Sequence, residues 1–273
     1  MSAISVTRHG RARAIRMRWR SIIAAALATL IGLVCFLWPF VLAPGHFGAT
    51  YMPPLMFGLL LALVLAVVFA ELADGGIDSK AIAMLGVLSA VNAGLRPLGA
   101  GTAGIETVFF ILVFGGRVFG PGFGFALGCI SLFASAIITG GVGPWLPYQM
   151  FGCAWIGLFA GLLPACRGKL EIAMLAAYGL VAGYLFGFLL NLQFWPFSVD
   201  QGSSISYLPG ASFALQWHRY FLFYSTTSLG WDTGRAITDV ICIVLLGPGL
   251  LPVLRRAAKR ANFMGTAVFE PHP

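Results

Sequence analysis

Eight apolar runs constrain this chain more than any other feature. They cover residues 21–42, 54–72, 80–95, 105–116, 122–139, 147–165, 172–193 and 231–254, and most approach the roughly 20 residues that a helix needs to cross a bilayer. The runs at 80–95 and 105–116 are short and broken by Gly or Pro, which predicts tilted, interrupted or half-embedded helices. The expected fold class is therefore an all-α polytopic membrane protein. Hydrophobic residues make up 59% of the 273 residues and charged residues only 10%, which leaves no room for a sizeable soluble domain.

The charges that remain are unevenly placed. Six of the seventeen Lys and Arg lie in "RHGRARAIRMRWR", directly before the first run. That position suits a membrane-surface anchor, so the net charge of +8 does not call for nucleic acid. An eight-span reading puts Lys80, Arg117, Arg167, Lys169, Arg255, Arg256, Lys259 and Arg260 on the same side as this basic stretch, and only Arg96, Arg219 and Arg235 on the other. Both termini are then expected in the cytoplasm, in the cell membrane. The first run is read as a retained span, because it is long for a signal peptide and "WPFVLAPG" is a poor cleavage site. The five cysteines stand singly within apolar runs and read as small core residues.

Between two of the runs stands "GGVGPWLPYQM", residues 140–150. Pro144 and Pro147 stiffen the backbone around Trp145 and favour an extended or turn conformation, and Pro147 suits the first turn of the next helix, with Tyr148 and Gln149 behind it. This loop and the segment 194–230, which holds Trp195, Tyr207, Trp217, His218, Arg219, Tyr220 and Tyr224, fall on the outer face. An aromatic belt at headgroup level would explain them without a ligand. Gln149, Asn191, Gln193, Asp232 and Arg235 add hydrogen-bonding groups beside these aromatics, the composition of a small-molecule pocket.

Small residues recur every fourth position at Gly86, Ala90 and Gly94, at Gly120, Gly124 and Gly128, at Gly157 and Gly161, and at Gly179, Gly183 and Gly187. Such stripes let helices approach closely in lipid. The three later stripes are read as bundle packing; the first follows the acidic loop "ELADGGIDSK" at the inner surface, where a partner could dock. No P-loop and no histidine pair with metal-ligand spacing is present, and "RVFGPGFG" reads as a tight turn between helices. Glu106, Asp232, Arg235 and Asp239 are the few ionisable residues within spans, too few for a proton relay.

Three stretches carry a family resemblance: "AIAMLGVLSAVNAGLRPLGAG", "FILVFGGRVFGPGFGFALGCISLFASAIITGGVGPWLPYQMFG" and "SLGWDTGRAITDVICIVLLGPGLLPVLRRAAKR". From residue 80 onward the chain resembles the substrate-binding S component of an energy-coupling factor (ECF) transporter, and "FGxGFGF" followed by "GPWxPxQM" is similar to the cobalamin-type branch. The resemblance implies a six-helix membrane domain at 80–256, which binds a water-soluble vitamin at the outer face and works with a membrane scaffold subunit and two ATPases. It also implies no catalysis and no cofactor. The remaining parts are a basic tail at 1–20, an extra N-terminal hairpin at 21–79 and a C-terminal tail at 257–273.

On this reading cobalamin or a related corrinoid is the first ligand choice, and another vitamin or precursor is the second. Trp145, Tyr148, Trp217 and Tyr220 are expected to wall the pocket, and Arg96, Gln149, Asn191 and Arg235 to hydrogen-bond the ligand. Gly86, Ala90 and Gly94 are expected to dock the scaffold. Two other classes stay open: a membrane enzyme using Glu106, Asp232 and Asp239 on a lipid, and an assembly subunit that binds nothing.

Overall fold

The structure is a computed structural model that describes residues 19–41, 79–99, 104–199 and 202–262, with scattered residues between 55 and 66. The basic stretch before residue 19, most of the second arm of the N-terminal hairpin, the acidic loop before residue 79 and the tail after residue 262 lie outside the described residues. Among those described, every regular element is a helix. In chain order they are α1 (Trp19–Phe36), α2 (Trp38–Val41), α3 (Ser79–Gly99), α4 (Phe109–Phe119), α5 (Pro121–Thr139), α6 (Leu146–Leu162), α7 (Lys169–Ser198), α8 (Phe213–Thr227) and α9 (Leu229–Asn262).

Four of these contain stretches long and apolar enough to cross a membrane: Lys80–Gly99, Pro121–Thr139, Lys169–Ser198 and Leu229–Arg260. Leu30, Val87, Leu98, Ile137, Val181 and Leu245 all face outward and are more than half exposed. A surface this apolar matches hydrocarbon and would drive association in water. The chain is a helical, membrane-embedded protein. The short fourth run forms the 11-residue helix α4, so the Gly- and Pro-interrupted sequence does give a segment shorter than a bilayer.

Glycine sets how closely the helices lie. The stripes of α5 and α6 face each other: a Cβ on Gly157 would collide with Gly124, and one on Gly116 of α4 would strike the Gly157 carbonyl. Only Gly120 separates α4 from α5, and its φ of 108° is open to glycine at little cost. Pro121 then begins α5 at the helix position that needs no N–H donor. "RVFGPGFG" is the tight turn that the sequence predicts. On the other flank α7 lies along α9, with Gly179, Gly183 and Gly187 seated over Asp239, Ala236 and Asp232. The fourth stripe thus makes room for carboxylates as well as for a helix.

The N-terminal helix is part of this bundle. Thr29 Oγ1 accepts from Trp155 Nε1 at 3.2 Å, and Phe36 packs edge-on against Tyr148 with ring centroids 5.0 Å apart. Segment 194–230, which looked like a long outer loop, is more ordered than its sequence suggests. α7 continues to Ser198, and α8 fills half of the segment. Ser212 caps α8 by accepting from the Leu215 N–H at 3.4 Å.

Opposite ends of the bundle hold opposite kinds of ion cluster. At one end Glu171, 1% exposed, accepts from Arg117 Nε at 2.6 Å and from Arg255 Nη2 at 2.6 and 2.7 Å. Arg117 also donates to the carbonyls of Leu163 and Pro164 at 3.1 and 2.9 Å, just past the end of α6, where carbonyls lack helical partners. At the other end two acids share one base.

Candidate ligand-binding site

That second cluster begins with Arg235, one turn into α9. Its guanidinium donates through Nε to Glu106 and through Nη1 to Asp232, three residues earlier on the same helix. The guanidinium carbon also lies 5.2 Å from the Phe186 ring centroid and 5.8 Å from that of Phe109, so aromatic faces complete its surroundings. Glu106 comes from the irregular segment before α4, where a close approach of the Gly104 backbone to the Trp231 carbonyl leaves no room for a Cβ. The pair Glu106–Arg235 therefore ties the α3–α4 connection to the start of α9.

Beside this cluster a cleft of about 240 Å³ opens between α7, α8 and α9. Gly187, Leu190 and Asn191 line it from α7, Thr227 and Ser228 from the α8–α9 junction, and Trp231, Asp232 and Arg235 from α9. Asn191 donates its amide to the Gly187 carbonyl at 2.8 Å, and Trp231 is 45% exposed. Asp232 is buried, and its Oδ2 has no hydrogen-bond partner. One glycine makes this possible: a Cβ on Gly187 would strike both carboxylate oxygens.

The eight expected ligand residues separate into three groups. Asn191 and Arg235 meet in the cleft. Arg96 and Gln149 pair with each other, Nη2 donating to Oε1 at 3.0 Å, and so hold the end of α3 against the start of α6. Trp145 lies in the turn before α6, half exposed, with its indole N–H donating to the Gly141 carbonyl at 3.3 Å and its ring folded over Gly143. Of the two conformations expected there, extended or turn, the backbone takes the turn. Pro147 does sit in the first turn of α6. Tyr148, next to it, is covered by Phe36.

Trp217 and Tyr220 form the third group, an aromatic core built around Trp195, Phe188 and Phe40. Tyr220 is fully buried and donates to the Phe188 carbonyl. Trp195 Nε1 donates to the Ile205 carbonyl at 2.7 Å, and Arg219 to those of Ser203 and Ser206 at 3.1 and 2.8 Å. Most of these outer aromatic and polar groups are thus used to fasten loop 202–212 to α7 and α8. Burial lifts the Tyr207 hydroxyl above its ordinary pKa, which keeps it neutral there.

Thr227, Ser228 and Trp231 were not among the expected ligand residues, and Asp232 was noted beside the outer aromatics without being assigned to the ligand. The signal was "TTSLGWD", a small polar run that enters a greasy helix through an aromatic and an acid. Gly86, Ala90 and Gly94 line an exposed face of α3, and a Cβ on either glycine would meet nothing within 4 Å. Among the described residues no cluster of His, Cys, Asp and Glu could hold a metal ion. No family model, no curated protein and no solved structure matches the chain.

Proposed function

We propose that this chain is the substrate-binding subunit of an energy-coupling factor importer, a domain from residue 80 onward whose six spans are α3 to α7 and α9, with α8 as an added outer helix, preceded by an N-terminal hairpin. It captures a water-soluble vitamin or vitamin precursor at the outer face of the cell membrane and hands it to a scaffold and two ATPases. The cleft between α7, α8 and α9 is the observation that carries this reading. Its lining is mostly polar, Asn191, Thr227, Ser228, Asp232 and Arg235 beside Leu190 and Trp231, and converging polar groups of this kind fix the orientation of a small water-soluble ligand. It also lies at the end away from Arg117 and Arg255, whose company of Lys169, Lys259 and Arg260 supports reading that opposite end as the cytoplasmic one.

The cleft's volume bears on the choice of ligand. At about 240 Å³ it falls just below the roughly 300–1,000 Å³ of sites for drug-sized molecules. A compact vitamin or precursor fits that space better than a corrinoid. Capture is favoured over catalysis because Glu106 and Asp232, two of the acids a membrane enzyme would use, are both tied to Arg235.

Mass spectrometry of small molecules retained by the gently purified protein tests the reading directly, with a compact water-soluble compound as the expected result. If lipid turnover by the chain alone is seen instead, the reading fails. In liposomes the chain should bind its ligand without ATP and concentrate it only when scaffold and ATPase subunits are added.

Two substitutions separate the functional surfaces. Gly86→Leu on the exposed stripe of α3 is expected to weaken co-purification with the scaffold and leave ligand affinity intact, because close helix approach needs small residues. Loss of affinity with docking retained would place the stripe inside the bundle. Trp145→Ala is expected to leave affinity unchanged, since the ring closes on its own loop, whereas Trp231→Ala should weaken binding by about 1–3 kcal/mol. Isothermal titration of the retained compound against both variants reads the difference.

A further inference from the structure

The geometry points to a positively charged ligand in this cleft, a small organic cation with a flat or apolar portion, seated on Asp232 and covered by Trp231. The inference rests on the cleft being the capture site and names the chemistry it selects.

Charge balance is the first support. Glu106 and Asp232 both bind the single guanidinium of Arg235, so the group carries one negative charge in excess when all three are ionised. Asp239, one turn deeper on α9, is 1% exposed and neither of its oxygens has a hydrogen-bond partner. With no partner in so dry a place, its carboxyl is favoured in the neutral form and leaves the balance unchanged. An anionic ligand would meet a guanidinium already held by two carboxylates. The net negative charge of the trio disfavours it.

Asp232 gives the surplus a direction. Its side chain lines the cleft, and Oδ1 is taken by Arg235. Tyr224 also acts on the carboxylate, yet Oδ2 has no hydrogen-bond partner of normal geometry. A buried acceptor left open costs stability. Gly187 makes room for this carboxylate, because any side chain at that position of α7 would push it away. An N–H donor on a cation satisfies Oδ2 and adds ion-pair attraction that a neutral hydroxyl lacks.

The remaining walls suit the same ligand. Trp231 offers an indole face at the mouth of the cleft, and a cation or flat cationic ring gains from stacking on it. Asn191, with its amide N–H donated to Gly187, keeps its carbonyl oxygen as a second acceptor. Thr227 and Ser228 add hydroxyls.

Three probes with the same ring separate charge from shape: benzylammonium, benzyl alcohol and benzoate. They are titrated against the full-length purified chain by saturation-transfer NMR and by tryptophan fluorescence. Benzylammonium is expected to bind at least ~10-fold more tightly than benzyl alcohol, with benzoate weakest. Asp232→Asn should remove that preference, and Trp231→Ala, at an exposed position that leaves the fold intact, should weaken benzylammonium. Thermal unfolding of each variant checks that it is folded. Benzyl alcohol or benzoate binding as tightly as benzylammonium overturns the cation assignment, as does an unchanged preference in folded Asp232→Asn. A neutral or anionic compound retained by the purified protein overturns the assignment too, but leaves the capture reading standing. If no probe binds and nothing is retained, both fail.

Discussion

Glu171→Ala is expected to lower stability by about 3–5 kcal/mol, the usual cost of removing one partner from a buried ion pair. Its carboxylate is the common acceptor for Arg117 and Arg255, and the Arg117 side chain is only 6% exposed. Without the acid, that guanidinium stays buried with only carbonyl acceptors. The same guanidinium holds the carbonyls of Leu163, Pro164 and Cys166 beyond the end of α6, so the α6–α7 turn should loosen as well. Arg255→Ala makes the comparison: its side chain is 41% exposed, and Arg117 still pairs with Glu171 in its absence. Its cost should stay near ~1 kcal/mol. Thermal unfolding in detergent, followed by circular dichroism, orders the variants. Equal losses would mean that Glu171 is not the centre of the cluster.

The helical, membrane-embedded character was legible because hydrocarbon imposes one simple demand, and runs of apolar residues meet it visibly. α8 was harder to see. Its sequence, "FALQWHRYFLFYSTT", alternates aromatic and polar residues, and looked like outer loop. Aromatic residues beside polar ones have three uses: belt, pocket wall and core. Sequence does not separate them, since the choice depends on partners far away in the chain. Tyr148 is buried by Phe36, and Tyr220 by Phe40 and Phe188. Arg96 and Gln149 were expected to hydrogen-bond a ligand; both are half-buried, and they pair with each other. The glycine stripe on α7 could be read directly, but not the register that sets Gly187 against Asp232. That register is fixed only when α7 and α9 pack, and it is what places a carboxylate in the cleft.

A second large effect is expected where three helices meet at one point. Gly157 of α6 lies under both Gly116 of α4 and Gly124 of α5, and a Cβ on Gly157 would come within 2.8 Å of the Gly124 Cα while also striking that residue's carbonyl. These neighbours are backbone, so no rotamer change relieves the clash; α5 and α6 would have to separate. Separation would also move Gly128 away from Ala154 and Cys153, the next close contact along the same pair. In lipid the lost packing is not offset by any hydrophobic drive between helices. Gly157→Leu is accordingly expected to cost about 3 kcal/mol or more and to prevent accumulation of a monodisperse protein. Gly86→Leu adds the same side chain to an open face of α3 and should run on size-exclusion chromatography like the unaltered chain. A folded, ligand-binding Gly157→Leu protein would show that α4, α5 and α6 do not converge on this residue. The cleft would then need another account of its shape, because α4 is the helix that follows Glu106 and carries Phe109 to Arg235.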